Sequence, residues 1–389
     1  MKPFVLSVFN LAFRPFFLLG SLLALLGVAL WVSALSRHPL GNQPVGGWLV
    51  WHQHELVFGF TGAIMGGFLL TAVQSWTGRP GLTGFPLALL VLLWLLGRIS
   101  WFLPAQPTLL LALNLSFFLG VAVVMARMLW AVRQTRNYPI VLVLLLLTGV
   151  QGMQLYGVAS GDYALAQRAV LAAIWLVAAM MGLIGGRVIP FFTQRGLGHE
   201  QGVSAWPWLD WALLLGSVLV AVLFALGLAL RPHPLTGLLF SLLAAGHMLR
   251  LLRWFSPALL RVPLLWSLHL AYAWMVLAFA GVALWQCGWL TNLSTLVHAL
   301  TVGGIGGMIL AMLARVSLGH TGRALTLPRG FVAALVLINL AAVVRVFGVD
   351  LWYLPSLWLA AVCWSAAFGL YLIVYGPMLL RPRPDGKAG

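Results

Sequence analysis

The feature that most constrains the fold is an apolar run of about 20 residues that recurs along the whole chain. Each run can cross the roughly 30 Å of hydrocarbon in a bilayer as one α-helix, and short polar or Pro-containing breaks separate the runs. Of the 389 residues, 62% are hydrophobic and only 7% are charged, which is too little polarity to cover a soluble domain. The sequence therefore predicts an all-α, polytopic integral membrane protein with the lipid bilayer as its surroundings.

Twelve such runs can be delimited. Their expected bounds are 15–35, 54–76, 85–103, 108–132, 139–158, 165–189, 208–230, 235–255, 263–286, 296–318, 329–348 and 352–379. We expect the chain, residues 1–389, to form a single transmembrane domain.

The basic residues are distributed unevenly between the breaks. With a cytoplasmic N-terminus and twelve spans, 17 of the 22 Lys and Arg residues fall on the cytoplasmic side. The other five, on the outer side, are Arg37, Arg98, Arg168, Arg231 and Arg345. This asymmetry follows the positive-inside rule, so both termini are predicted to be cytoplasmic. We interpret the basic residues as topology signals. Despite the net charge of +16, we therefore expect no nucleic-acid partner.

One long stretch, Leu296–Arg323, is predicted to be a membrane helix with His298 and His320 near its two ends. The two histidines are 22 residues apart, or about 33 Å along a helix, so they cannot bind the same metal ion. A stripe of small residues between them should let another helix approach closely. Its members are Ala299, Gly303, Gly307 and Ala311. A plain packing helix with two interfacial histidines is the alternative.

A second informative stretch, WHQHELVFGF at 51–60, opens the second span. Residues i and i+2 face different sides of a helix, so His52 and His54 should serve different sites, unless one of them belongs to the preceding loop. Glu55 is a functional candidate, because an acid at the edge of a span is costly without a partner. It could hold the second nitrogen of a ligating histidine. Glycines follow on the same face, at Gly59, Gly62 and Gly66. A cluster of snorkelling interfacial side chains is the alternative.

The histidines fall into two groups of matching depth. The outer group is His52, His54 and His298, and the inner group is His247, His269 and His320, on spans eight, nine and ten. Histidines inside membrane spans need partners. Arg187, at the end of span six, is either a topology signal or a partner for a heme propionate. Spans three to five suggest no chemistry.

Neutral imidazole is a good ligand for heme iron, copper and zinc. Proton-coupled transporters usually need acids within the membrane, and this chain has six Asp and Glu residues in all. It also has no convincing internal repeat, a common feature of transporters. The residues therefore favour a membrane metal or heme protein over a solute carrier.

Five motifs carry a resemblance to a known family. They are FRPFF at 13–17, WHQHELVFGF at 51–60, FLLTAVQSWTG at 68–78, GGRVIPFFT at 185–193 and HALTVGGIGGMILAMLARVSLGHTGR at 298–323. In this combination the chain resembles the NnrS family. The resemblance implies a bacterial inner-membrane protein with twelve spans, heme and copper, associated with nitric-oxide resistance and denitrification.

On this resemblance, His52, His54, Glu55, His269, His298 and His320 occupy motif positions, whereas His247 joins the inner group on depth alone. We expect a heme b with His54 and His298 as axial ligands, and copper near His52. We expect a second metal or heme site at His269 and His320, with His247 as a further candidate. Partners would be nitric oxide or a related small gas, together with an electron donor if the chemistry is redox.

Other functions stay open at this point. A metal or solute transporter could use histidines with the methionines Met153, Met180, Met308 and Met312. A sensor or assembly factor could bind heme without turnover. If the protein is an enzyme, a heme-copper oxidoreductase acting on nitric oxide, the sequence does not separate reduction, oxidation and simple binding.

Overall fold

A computed structural model describes residues 7–103, 106–198, 200 and 202–386. These residues form α-helices, with no β-strand among them. Twelve apolar helices follow one another along the chain. They are α1 (Phe13–Leu35), α2 (Trp48–Thr77), α3 (Gly84–Phe102), α4 (Pro107–Ala131), α5 (Thr135–Ser160), α6 (Tyr163–Leu197), α7 (Pro207–Ala225), α8 (Pro234–Trp254), α9 (Pro263–Gln286), α10 (Leu293–His320), α11 (Val332–Gly348) and α12 (Tyr353–Leu380).

The predicted fold class is confirmed: the chain is an all-α polytopic membrane protein. Among the described residues, 11 helices are long and apolar enough to cross a membrane, and each matches a predicted run. The run predicted at 329–348 forms the shorter helix α11. The cytoplasmic location of the termini stays a prediction. Lys2 and Lys387, which contribute to the charge asymmetry, lie outside the described residues.

The helix ends follow local chemistry. Four helices, α4, α7, α8 and α9, begin at a proline, whose fixed φ and missing N–H suit the first turn of a helix. Two others, α2 and α5, are followed by glycines in the left-handed region, Gly78 (φ +66°) and Gly161 (φ +75°). A glycine there ends a helix without the strain that a Cβ would add. The breaks between apolar runs are therefore built into the sequence.

The described helices form two compact units. The first unit comprises Met1–Val170, Leu313–Pro328 and Phe368–Gly389. The second unit comprises Leu171–Met312 and Arg329–Ala367. The single transmembrane domain expected from the sequence stays a prediction.

In the first unit, glycines of α2 lie against aromatic rings of α4. A Cβ on Gly62 would lie 2.7 Å from Phe118 Cζ, and one on Gly66 would lie 3.0 Å from Phe117 Cζ. Real Cβ atoms essentially never lie within 3.0 Å of another atom, so alanine at Gly62 would require the Phe118 ring to move, and at Gly66 the contact would be unusually tight. The small-residue face predicted behind Glu55 is thus confirmed as a helix-packing surface.

The start of α1 is hydrogen-bonded to the end of α12 through the buried side chain of Arg14. Arg14 is fully buried, and its Nη1 donates to the carbonyl oxygens of Leu379 (2.8 Å) and Arg381 (2.7 Å). Both acceptors lie at the C-terminal end of α12, where backbone carbonyls lack helical partners. Arg14 therefore has a structural role beyond that of a topology signal.

In the second unit, the predicted small-residue stripe of α10 lies against α9. A Cβ on Gly303 would lie 2.4 Å from Trp274 Cγ, and one on Gly307 would lie 3.3 Å from the Cβ of Ala271. The close helix approach expected from the stripe is confirmed at these two positions.

Three segments of the membrane helices are wound as π-helix: Glu55–Thr61 in α2, Ala299–Gly306 in α10 and Val344–Gly348 in α11. A π-helical turn is rare and is frequently found at functional sites. The first segment starts directly after His54, the second starts directly after His298, and the third contains Arg345. The irregular backbone thus coincides with two histidines of the predicted outer group.

Candidate functional site

In the first unit, His54 lies at the junction of the regular and π-helical parts of α2 and is fully buried. Its Nδ1 is 3.0 Å from Oε1 of the adjacent Glu55, which is also fully buried. A carboxylate at Nδ1 fixes the tautomer of the ring and keeps the lone pair on Nε2, the arrangement found in ligating histidines. The contact predicted for Glu55 with a histidine is therefore confirmed.

Glu55 also forms an ion pair with Arg98 at the end of α3. The Arg98 Nε lies 2.7 Å from Oε2 and 3.0 Å from Oε1 of Glu55, and the Arg98 side chain is only 13% exposed. Arg98 also donates through Nη2 to the Asn114 side chain of α4. The interpretation of Arg98 as a topology signal alone was thus incomplete, because the residue is paired with a buried carboxylate.

Spans three to five, which suggested no chemistry, in fact line the surroundings of His54. Nε2 of Gln151 in α5 lies 3.3 Å from the His54 Nε2, and the Trp101 ring centroid lies 4.7 Å from that of His54. One turn further along α5, Gln154 is fully buried, and neither its Oε1 nor its Nε2 has a hydrogen-bond partner in the described part of the chain. Two glutamines in an otherwise apolar run, Gln151 and Gln154, could have indicated in the sequence that α5 faces a polar group.

His52 faces away from this cluster. Its ring stacks on Trp31 of α1, with centroids 5.0 Å apart and planes inclined by 16°. His52 and His54 therefore have different neighbours, and that they serve different sites stays a prediction.

In the second unit, His298 lies in the first turns of α10, half-buried. Its Nδ1 is 2.7 Å from the carbonyl oxygen of Ser294, one turn earlier, so the ring can donate there and keep its lone pair on Nε2. Nη2 of Arg345, in the π-helical part of α11, lies 3.2 Å from Nδ1 and 3.4 Å from Nε2. Arg345, also first interpreted as a topology signal, thus belongs to the surroundings of His298.

The inner group is divided between the units: His247 and His269 lie in the second and His320 in the first. His269 is buried, and its Nδ1 and Nε2 lie 2.9 Å and 3.4 Å from the carbonyl oxygens of Leu265 and Trp254. A neutral imidazole has one N–H, so His269 can donate to only one of these two carbonyl oxygens. His247 has a different partner, because its Nδ1 lies 2.7 Å from the Tyr272 hydroxyl oxygen.

His320 ends α10, and its ring lies beside Phe13, with centroids 5.6 Å apart. Its carbonyl oxygen accepts a hydrogen bond from Arg383 Nη1 at 3.1 Å. Arg383 follows α12 and is bonded to Asp385, and this hydrogen bond raises the pKa of Arg383 above its ordinary value. The charged guanidinium therefore lies at the C-terminal end of α10, where it donates to a backbone carbonyl that has no partner within the helix.

Within the described residues, no three His, Cys, Asp or Glu side chains come together in a group that could hold a metal ion. The predicted copper site, with His52, His54, His247, His269, His298 and His320 as candidate ligands, stays a prediction. Arg187 is half-buried in α6, and its proposed contact with a heme propionate also stays a prediction.

His54 lies in the first unit and His298 in the second, so each is described within its own surroundings. They share two properties: a hydrogen-bond acceptor at Nδ1, and a π-helical segment that begins at the next residue. We predicted that both imidazoles bind the same iron. This concerns residues of both units, and it stays a prediction.

Comparison with curated proteins gives no match. The profile of the NnrS protein family matches residues 7–383, nearly the whole chain. The match includes both histidine groups, the buried Glu55–Arg98 pair and all three π-helical segments. The chain therefore belongs to the NnrS family.

Proposed function

We propose that this protein is a heme b- and copper-binding protein of the bacterial inner membrane that binds or redox-processes nitric oxide in the response to nitrosative stress. Membership of the NnrS family supports a role linked to nitric oxide. The single structural observation that best supports heme binding is the state of His54: fully buried, with Nδ1 held by a carboxylate.

The donor set at His54 fits a heme ligand. A carboxylate at Nδ1 makes Nε2 a stronger donor to a metal, and such partners are nearly as important as the ligand itself. Gln151 is the protein group next to Nε2, and a glutamine amide can turn away more easily than a charged partner. Arg98 Nε lies 2.7 Å from Oε2 of the same carboxylate, so the ion pair holds Glu55 in place beside His54.

The donor set at His298 fits as well. The Ser294 carbonyl plays the part that Glu55 plays for His54, and backbone carbonyls are common partners of ligating histidines. Arg345 adds a guanidinium beside the ring, where it could pair with a propionate. A bound heme would supply an iron that exchanges electrons and that could take up nitric oxide in place of one of its two imidazole ligands. Nitric oxide is small and uncharged, so it reaches a buried site through the lipid.

Copper has weaker support. A copper site in a protein usually has three or four protein ligands in a defined geometry. Since the described residues hold no cluster of three suitable side chains, copper binding rests on the family resemblance. We therefore assign no role to copper in the chemistry.

The experiment that tests the heme proposal is the substitution of each predicted ligand. In purified protein, His54→Ala and His298→Ala should each abolish or shift the Soret band, because each removes a nitrogen ligand from the iron. His38→Ala, at an exposed histidine in the loop after α1, should leave the band unchanged. A normal Soret band in both ligand variants would refute the assignment.

A further inference from the structure

The segments that follow α10 and α12 lie together at one end of the first unit. A Cβ on Gly322, in the turn after α10, would lie 3.1 Å from Nη2 of Arg383 and 3.1 Å from Oδ2 of Asp385, both of which follow α12. Arg383 also donates through Nη1 to the carbonyl oxygen of His320, the last residue of α10. This contact brings basic residues from two separate stretches of the chain onto one surface.

We call this surface the arginine patch, formed by Arg323, Arg381, Arg383 and Asp385. Arg383 is paired with Asp385, its Nε lying 2.8 Å from Oδ1. Among the described contacts, Arg323 donates only through Nη1, to the Thr321 carbonyl oxygen at 3.3 Å. Arg381 is exposed, and no hydrogen bond or ion pair in the described part of the chain involves its side chain. Two guanidinium groups therefore have nitrogens left for another ligand.

The arginines of the patch are close enough to repel one another. Burial, and after it the charge of Arg381, lower the pKa of Arg323 below its ordinary value. A further cation lies beneath them, because Nη1 of the buried Arg14 donates to the backbone carbonyl oxygen of Arg381 at 2.7 Å. Like charges held together disfavour the charged form of each group unless an anion offsets them. Asp385 is the one acid of the patch among the described residues, so positive charge is in excess there.

The patch adjoins an exposed apolar stripe of α12. Arg381 directly follows the last residue of this helix, and Pro377 and Ile373 precede it by four and eight residues, so the three share one side to within about 80°. Ile373 is 73% exposed, and Pro377 is exposed as well. Ile373 lies about 12 Å before Arg381 along the helix axis. The stripe thus leads from the apolar part of the span to a guanidinium group.

The chemistry of the ligand follows from the charge and the stripe together. Guanidinium groups bind phosphate oxygens through paired, charge-assisted hydrogen bonds. Basic groups at the cytoplasmic ends of membrane helices bind the head groups of anionic lipids, and α10 and α12 end at the face that is predicted to be cytoplasmic. An acidic protein segment would suit the arginines but would leave the apolar stripe unused. The patch therefore favours a molecule with an anionic head and an apolar tail.

We propose that Arg323 and Arg381 bind the phosphate head group of an anionic phospholipid, whose acyl chain lies along Pro377 and Ile373 of α12. Asp385 withholds Arg383 from the head group. One arginine follows α10 and the other follows α12, so the bound lipid holds the ends of these two helices together. The proposal is independent of heme binding, and its failure would leave the proposed function unchanged.

The first test removes the arginines. Phosphatidylglycerol or phosphatidylcholine is titrated into the full-length protein in detergent, and bound lipid is counted by native mass spectrometry. The wild type should prefer phosphatidylglycerol. Arg381→Gln should weaken that binding about fivefold, and Arg323→Gln/Arg381→Gln about 25-fold. The single variant alone decides the matter if the double variant does not fold, because the Arg381 side chain is exposed.

The matched control removes the same charge elsewhere. Arg127 and Arg133 are exposed arginines at and after the end of α4, on the face that is also predicted to be cytoplasmic. Arg127→Gln/Arg133→Gln should leave the affinity for phosphatidylglycerol nearly unchanged, because neither residue belongs to the patch.

The second test removes the acid of the patch. Asp385→Asn frees Arg383 and deletes a carboxylate that repels phosphate, so it should tighten phosphatidylglycerol binding about fivefold. Asp162→Asn, at an exposed acid before α6, should leave the affinity unchanged.

Several outcomes would overturn the proposal. They are equal binding of the two lipids by the wild type, an unchanged affinity in Arg381→Gln, and a loss in the Arg127→Gln/Arg133→Gln control as large as that in Arg323→Gln/Arg381→Gln. Displacement of phosphatidylglycerol by inorganic phosphate at the same concentration would assign the patch to a free anion instead. Displacement by an acidic peptide at that concentration would assign it to a protein partner.

Discussion

Replacing Glu55 by alanine is expected to lower the free energy of unfolding by about 3–5 kcal/mol, because the change leaves the charge of Arg98 buried without its partner. The Glu55 side chain is fully buried and that of Arg98 is 13% exposed, so water can compensate little of the loss. Thermal or denaturant unfolding of the detergent-solubilised protein measures the change. The double variant Glu55→Gln/Arg98→Gln should recover part of the stability, since it removes both charges together.

The matched control is the exposed ion pair that follows α12. Asp385 is 35% exposed and is bonded to Arg383, so Asp385→Ala should lower the stability by no more than about 1 kcal/mol. Equal losses in Glu55→Ala and Asp385→Ala would contradict the view that the Glu55–Arg98 pair lies in a low-dielectric interior.

The same substitution bears on function. Glu55 holds Nδ1 of His54, and loss of such a partner typically weakens metal binding by about 10–100-fold. Glu55→Gln keeps the size of the side chain and a hydrogen-bonding oxygen, so it should weaken heme binding less than Glu55→Ala does. Titration of heme into the two variants, once their bound heme has been removed, measures this order. A reversed order would contradict the role assigned to Glu55.

The second large effect is expected at Gly303, within the π-helical segment of α10. A Cβ there would lie 2.4 Å from Cγ and 2.9 Å from Cβ of Trp274, so the clash involves the base of the side chain as well as the ring. Trp274 cannot simply turn away, since its Nε1 donates to Asn339 Oδ1 at 3.0 Å. Gly303→Ala should therefore destabilise the protein by about 1–3 kcal/mol or more.

Gly149, in α5, provides the control for Gly303. No atom lies within 4 Å of a Cβ built there, and alanine is the better helix former by about 0.5–1 kcal/mol, so Gly149→Ala should be neutral or stabilising. Comparison of the two melting curves tests the effect of packing apart from helix propensity. If Gly303→Ala were as stable as Gly149→Ala, the result would contradict the close packing of α9 against α10 at Gly303.

The helices were predictable because each apolar run needs about 20 residues to cross the bilayer, whatever its neighbours are. The same holds for the glycine faces of α2 and α10, since small residues at helical spacing have few other uses in a membrane. The π-helical segments were not predictable in this way. They depend on which backbone groups are left to bond once neighbouring helices have packed, and the residues Glu55–Thr61 have no periodicity that distinguishes them from α-helix.

The candidate site was predictable in its histidines but not in their partners. His54 and Glu55 are adjacent in sequence, so their contact could be anticipated. Arg98 is 43 residues from Glu55 along the chain, and a count of charges could assign it only to a membrane surface. Likewise, Tyr272 lies 25 residues from His247, and nothing in the sequence links the two before α8 and α9 pack together.

The most direct test of heme binding is a reduced-minus-oxidised absorption spectrum of the purified wild-type protein, with pyridine hemochrome and metal analysis on the same sample. Stoichiometric heme b is predicted, because His54 and His298 each have a hydrogen-bond acceptor at Nδ1, which keeps the lone pair on Nε2. A colourless protein after heme-replete expression would contradict heme binding and would favour a metal or solute transporter.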